Sequence, residues 1–168
     1  AEDYADTILD VDIANSPRIV LGAEYDTYLA RAENREPSIQ GRGEDGLVIL
    51  YTSGTTGRPK GAVISHRALI ARGAVFAMDL GILTNETFVA WAPFFHMAST
   101  DQALATLMRG GSVAIIDGYD AHAFERTIES EHIGWLPLIP GMIESLLKDL
   151  GGRTLRIKGI RAIGAIAD

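Results

Sequence analysis

YTSGTTGRPKG, residues 51–61, gathers the hydroxyls of Thr52, Ser53, Thr55 and Thr56, the glycines Gly54, Gly57 and Gly61, and Lys60 directly after an apolar strand signal. Such a stretch suits phosphate. The glycines let the backbone take positive φ and approach a ligand, so that N–H groups and hydroxyls converge on anionic oxygens. Lys60 adds a mobile point charge. Each hydrogen bond to a charged oxygen contributes roughly 1.5–3 kcal/mol, enough in sum to hold a triphosphate against its hydration. The competing reading is a flexible Gly/Ser/Thr turn, but the ordered string ending in Pro59, Lys60 and Gly61 favours phosphate.

The spacing excludes a Walker A loop, which needs four residues between its glycines and a Lys-Ser or Lys-Thr pair opening a helix. Here two residues separate Gly54 from Gly57, and Gly61 follows Lys60. Ala62, Val63 and Ile64 read as a short strand that ends at a helix cap on Ser65. The phosphate ligands therefore sit on a strand-loop-strand hairpin.

Outward from the loop, residues 47–52 are apolar enough for a buried strand. Before them come a short strand candidate at 18–22, a helix candidate at 24–33 with Tyr25, Tyr28, Leu29 and Ala32 on one side, and a polar linker at 34–46. After them, residues 66–80 read as a helix with Leu69, Gly73, Phe76 and Leu80 on one stripe. Strands are expected at 87–91, 112–116, 133–136 and 160–163, and a helix at 100–108 stopped by Gly110 and Gly111. A helix capped by Asp120 carries Phe124 and Ile128 inward. Another has Pro140 in its first turn, Ile143, Leu146, Leu147 and Leu150 on its buried face, and Gly151 at its end. Strands alternating with helices of this length predict an α/β fold, a mostly parallel sheet with helices on both faces.

His96 follows Pro93, Phe94 and Phe95 at the end of an expected strand, where parallel sheets place ligand contacts. Phe94, Phe95 and Met97 read as packing, with Phe95 equally open to lining a pocket. Asp101 reads as a first-turn acid favoured by the helix dipole. His66, His122 and His132 show no metal-ligand spacing and read as surface residues. The net charge of −7 argues against nucleic acid, though Arg58, Lys60 and Arg67 supply local charge for a single nucleotide. The chain contains no cysteine, which excludes disulfides and thiolate chemistry and fits a cytoplasmic setting. Charges interrupt every apolar run, so no transmembrane segment is expected.

The 51–61 string closely resembles the phosphate-loop signature of the adenylate-forming acyl-CoA synthetase superfamily, which includes peptide-synthetase adenylation domains and beetle luciferases. The resemblance continues through SHRALIARG (65–73), APFFHMAS (92–99), GGSVAIID (110–117) and IRAIGAIAD (160–168), and covers about residues 18–168. It implies a subdomain of the synthetase N-terminal domain, with residues 1–46 forming an N-terminal strand, helix and linker and residues 47–168 the phosphate-loop α/β part. It also implies ATP, Mg²⁺ and CoA, and two steps: a carboxylate attacks the α-phosphate of MgATP to give acyl-adenylate and pyrophosphate, then the CoA thiol displaces AMP. By the same resemblance His96 and Lys60 are catalytic, with His96 beside the acyl carboxylate. Thr52, Ser53, Gly54, Thr55, Thr56, Gly57, Lys60, Gly164 and Ala165 contact the nucleotide, and Thr55 and Thr56 face the metal.

The resemblance also separates substrate classes. Amino-acid adenylation domains carry an aspartate after the aromatic pair, as an α-ammonium requires; His96 stands there instead, which favours a fatty or aryl carboxylic acid. An aromatic-Gly-x-Thr-Glu string, a Thr-Gly-Asp string and a C-terminal lysine belong to the family and do not occur between residues 101 and 168. A fragment that is inactive alone is the expectation, with severed sheet edges that invite homodimers. A non-catalytic nucleotide- or partner-binding module and an amino-acid adenylation domain remain as alternatives.

Overall fold

The computed structural model describes residues 22–52 and 57–165, and divides into two compact units, Ala1–Gln40 and Gly41–Asp168. The first unit contributes helix α1 (Ala23–Ala30), shorter than the 24–33 expected and buried at no position. The strand expected at 18–22 lies outside the described residues apart from Gly22, which precedes α1.

In the second unit, β1 (Gly46–Thr52) and β2 (Lys60–Ser65) form an antiparallel hairpin with Thr52 opposite Lys60 and Tyr51 opposite Gly61. The hairpin is present as expected, but its first strand is not a buried one: only Leu50 is buried, and Ile49, Tyr51 and Val63 are exposed. The reason is pairing, because β1 and β2 make a two-stranded sheet apart from the parallel one. Gly61 lies inside β2 with no positive φ, where a Cβ would come within 2.9 Å of Ile49. Gly57 does hold the expected conformation, φ +78°.

Ser65 caps α2 (His66–Leu80), its Oγ accepting from the Ala68 N–H at 3.3 Å, and the chain leaves the helix through Gly81. Beyond it the sheet is parallel in the order β4-β3-β5-β6, made of β3 (Thr87–Ala90), β4 (Ser112–Ile115), β5 (Ile133–Leu138) and β6 (Ile160–Ala165). Helices α3 (Met97–Met108), α4 (Ala121–Ser130) and α5 (Met142–Leu150) make the crossovers. Val89, Leu136 and Leu138 pack with Phe124 and Ile128 of α4 and Met142 of α5 on one side. Phe88 and Ala90 pack with Ala103 of α3 on the other. Helices therefore cover both faces, as the sequence pattern predicts.

Three boundaries differ from expectation. Helix α3 starts at Met97 with His96 as its cap, so Asp101 lies in the second turn and is buried rather than acting as a first-turn acid. Pro140 precedes α5, which enters after Gly141 at φ +80°. That entry turns Met142 and Leu150 inward and leaves Ile143 and Leu147 exposed, while Leu146 packs at the margin of the core.

At the start of β3, the Glu86 carboxylate accepts the Leu83 N–H at 2.8 Å and a fork of bonds from Arg161 of β6 at 2.6–2.8 Å. Burial pushes this carboxyl up, but Arg161, the Leu83 amide and the field of His132 hold it below its ordinary 4.5. A depressed carboxylate stabilises the fold fully above about pH 4.5, and that contribution is lost as pH falls through the lowered value. Glu86→Gln should therefore cost about 1–3 kcal/mol at pH 7, with the gap to the unsubstituted chain narrowing below about pH 4.5. Urea melts from pH 7 to pH 3 check this, and a pH-independent gap would contradict it. In the same assay Phe124→Ala, at a fully buried position, should cost about 3–5 kcal/mol, and Leu147→Ala, 64% exposed, well under about 1 kcal/mol.

Candidate functional site

The chain places β4 on one side of β3 and then returns over it to place β5 on the other, so the strand order reverses between β3 and β5. Helices before and after such a reversal lie on opposite faces, and the loops leaving the two strands part to open a crevice at their carboxyl ends. A cavity of about 570 Å³ occupies that position. Its wall comes from the segment after β3 (Trp91, Ala92, Pro93 and His96), from the end of β5 (Pro137, Leu138 and Ile139), from the end of β6 (Gly164 and Ala165) and from α2 and α3.

Hydrogen bonds hold the β3–α3 segment in shape. The Ser99 hydroxyl donates to the Ala92 carbonyl at 2.6 Å, the His96 N–H donates to the Pro93 carbonyl at 2.9 Å, and the Thr100 hydroxyl donates to the Phe94 carbonyl. His96 Nδ1 accepts the Ala98 N–H at 3.1 Å. With Nδ1 occupied as an acceptor, the imidazole proton sits on Nε2, which is left to donate. His96 is thus a helix cap and a cavity-wall residue at once. Phe94 and Phe95 are exposed, at 45% and 81%, and neither packs inside nor lines the cavity. The tight turn between Pro93 and His96 turns both rings outward.

Deeper residues give the cavity its chemistry. Phe76 of α2 meets Trp135 of β5 edge-on, ring centroids 5.1 Å apart, and Trp91 Nε1 donates to the Pro137 carbonyl at 2.7 Å. Opposite Trp135, a Cβ at Gly164 would stand 1.9 Å from the indole, so any larger residue at this strand position must displace the ring. In the helical wall the Arg72 Nε donates to Asp101 Oδ2 at 2.5 Å. Asp101 is 2% exposed, and its Oδ1 has no hydrogen-bond partner among the described residues. Sequence reasoning missed Arg72, Phe76, Trp91, Trp135 and the role of Asp101. The available signal was the run of polar residues Ser99, Asp101, Gln102 and Thr106 on what proves to be the buried side of α3.

The hairpin is a separate donor set. Lys60 opens β2 and is exposed, Thr52 ends β1 opposite it, and Gly57 provides the turn between. Ser53, Gly54, Thr55 and Thr56 lie outside the described residues, and with them the expected metal contacts. Arg67, exposed like Arg58 and Lys60, pairs with Glu44, whereas Arg58 and Lys60 make no ion pair among the described residues. His96, Gly164 and Ala165 share the cavity wall; Thr52, Gly57 and Lys60 are not part of it. Among the described residues there is no cluster of three or more histidines and acids able to hold a metal ion, and no helix is long and apolar enough to cross a membrane.

Comparison with known proteins agrees with this architecture. The profile described as AMP-binding enzyme matches residues 4–166. The chain is 27% identical over 111 residues to 2-succinylbenzoate–CoA ligase of Bacillus cereus (strain Q1), covering 66% of this chain and 23% of that protein. It is 25% identical over 162 residues to feruloyl-CoA synthase of Amycolatopsis sp, covering 96% and 32%. It thus spans about a quarter to a third of these relatives. In fold it matches the N-terminal domain of FACL13 from Mycobacterium tuberculosis, solved with an inhibitor bound, at a TM-score of 0.78, 23% identity, and coverage of 96% of this chain and 42% of that one.

Gly164→Ala tests the close approach in the cavity wall. The added methyl group must displace Trp135, at a cost of about 1–3 kcal/mol, and should shift tryptophan emission, because the only tryptophans of the chain, Trp91 and Trp135, both line this cavity. Unchanged emission and stability would mean that β6 does not stand where described.

Proposed function

The chain belongs to the AMP-binding enzyme family, and on that premise we propose that the whole protein is an AMP-forming acid–CoA ligase acting on an apolar, preferably aryl, carboxylic acid. The substrate carboxylate attacks the α-phosphorus of ATP and pyrophosphate leaves; the CoA thiol then attacks the acyl carbon, AMP leaves, and the thiol proton passes to solvent. The observation that carries this reading is the aromatic-walled cavity at the carboxyl edge of the parallel sheet, with His96 at its wall.

In this reading the acid's apolar body lies against Phe76, Trp91 and Trp135, and its carboxylate lies within reach of His96. The Nε2 proton of His96 is free to bond that carboxylate and hold it toward the α-phosphate. Gly164 and Ala165 stand in the cavity wall at the end of β6, where this reading places the adenine. Lys60 and the loop that includes Ser53, Gly54, Thr55, Thr56 and Gly57 would hold the phosphates, and Thr55 or Thr56 would help to hold Mg²⁺. The metal, when bound, supplies neutralisation of the pyrophosphate leaving group.

Aryl acids are favoured over fatty ones by the three aromatic rings of the wall and by relatives named for feruloyl and succinylbenzoate substrates. An amino acid is disfavoured, because the cavity's acid, Asp101, is already bonded to Arg72.

Lys60→Ala in the full-length protein should lower ATP–pyrophosphate exchange on the order of 10²-fold, mainly in kcat. An exposed side chain at the edge of the hairpin should leave the melting temperature within a degree or so. Unchanged exchange kinetics would remove Lys60 from the phosphate site.

A further inference from the structure

We propose that His96 is a proton-operated switch: the neutral ring is docked on the first turn of α3 and serves the substrate carboxylate, and protonation undocks it and slows adenylation. This rests on the ligase reading above and adds a regulation of the same site.

His96 caps α3 with its side chain, Nδ1 accepting the Ala98 N–H at 3.1 Å. A ring nitrogen that accepts carries no proton, so this bond exists only in the neutral imidazole. Protonation places a hydrogen on Nδ1 and sets it against the amide hydrogen it had accepted. It also places a positive charge at the end of α3 where the helix dipole is already positive. Both effects push the ring away from the helix.

The surrounding bonds keep the switch local. The Ser99 hydroxyl donates to the Ala92 carbonyl and the Thr100 hydroxyl to the Phe94 carbonyl, while the Ser99 and Thr100 N–H groups donate to the His96 carbonyl at 3.2 and 3.3 Å. None of these uses the imidazole, so helix and loop stay in place and the ring alone is released. His96 is exposed and exchanges protons with solvent. Among the described residues of the cavity wall, the other charged groups are Arg72 of α2 and Asp101 of α3, bonded to each other, and β5 and β6 contribute none. No free carboxylate in that wall therefore holds a protonated ring in place. An imidazolium would bond a substrate carboxylate more strongly than a neutral ring does, but only from the docked position that protonation removes.

The test is ATP–pyrophosphate exchange by the full-length protein from about pH 8 to about pH 5.5, where histidines change charge, with an acid that stays ionised throughout. The expected kcat/KM for the acid falls on the order of tenfold across this interval. In His96→Asn the side-chain oxygen caps the helix and the amide donates without titrating, so the fall should vanish whatever the variant's absolute rate. Nitrogen-15 NMR of the full-length protein labelled at histidine and alanine gives a readout that needs no turnover. At about pH 8 the His96 ring should be the Nε2–H tautomer, and the Ala98 amide should shift together with the titration of that ring. An Nδ1–H tautomer, an Ala98 amide indifferent to the titration, or a profile as steep in His96→Asn would overturn this inference and leave the ligase reading standing. Exchange with no carboxylic acid at all would overturn both.

Discussion

Strand β3 has water on neither face: Phe88, Val89 and Ala90 are at most 2% exposed, with α3 on one side and α4 and α5 on the other. A strand buried on both faces must have neighbours on both edges to satisfy its backbone, and β4 and β5 are those neighbours, both parallel to it. Parallel neighbours require crossovers, and crossovers of one hand send α3 to one face and α4 to the other. The segments leaving β3 and β5 must then part at the carboxyl edge. The cavity follows from the burial of three residues in the middle of the sheet.

What fills that edge is a mixture of carbon and one ion pair. Phe76, Trp91, Trp135, Pro137 and Leu138 make most of its wall apolar. The polar groups are few and fixed: the His96 imidazole by its bond to the Ala98 amide, Trp91 by the Pro137 carbonyl, and Arg72 by Asp101. A wall that is mostly apolar with a few anchored polar groups is the usual make-up of a pocket that fixes a small organic ligand in one orientation. Gly164 contributes by absence of a side chain, since Trp135 occupies the space a Cβ would need.

Much of this was legible in the sequence, and the misses have physical causes. The hairpin could be read from Gly57, Pro59, Lys60 and the Ser65 cap, and the caps at Asp120 and Gly151 from local chemistry alone. The two-faced sheet followed from the alternation of strands and helices. The burial of β1 was misjudged because apolar composition reports what a strand could bury and not which sheet it joins. Asp101 was misread because the start of α3 was set three residues late; moving the cap to His96 shifts Asp101 from the first turn to the buried second. Its partner Arg72 lies 29 positions away on α2, a pairing that only tertiary packing creates. The aromatic wall was invisible for the same reason, since Phe76, Trp91 and Trp135 come from three different elements. For Thr52, Ser53, Gly54, Thr55, Thr56, Gly57 and Lys60, the hairpin accounts for the position of Thr52, Gly57 and Lys60 alone.

On the proposed reading, the cavity at the carboxyl edge of β3, β5 and β6 receives the acid. Both tryptophans of the chain stand in its wall, so a direct measurement is the emission of Trp91 and Trp135 as the acid that the full-length protein adenylates is titrated into the 168-residue chain. The expected result is a saturable change that fits one site and is weakened by Gly164→Ala, whose added methyl displaces Trp135. The same acid leaving both indoles unperturbed at every concentration up to its solubility limit would contradict it.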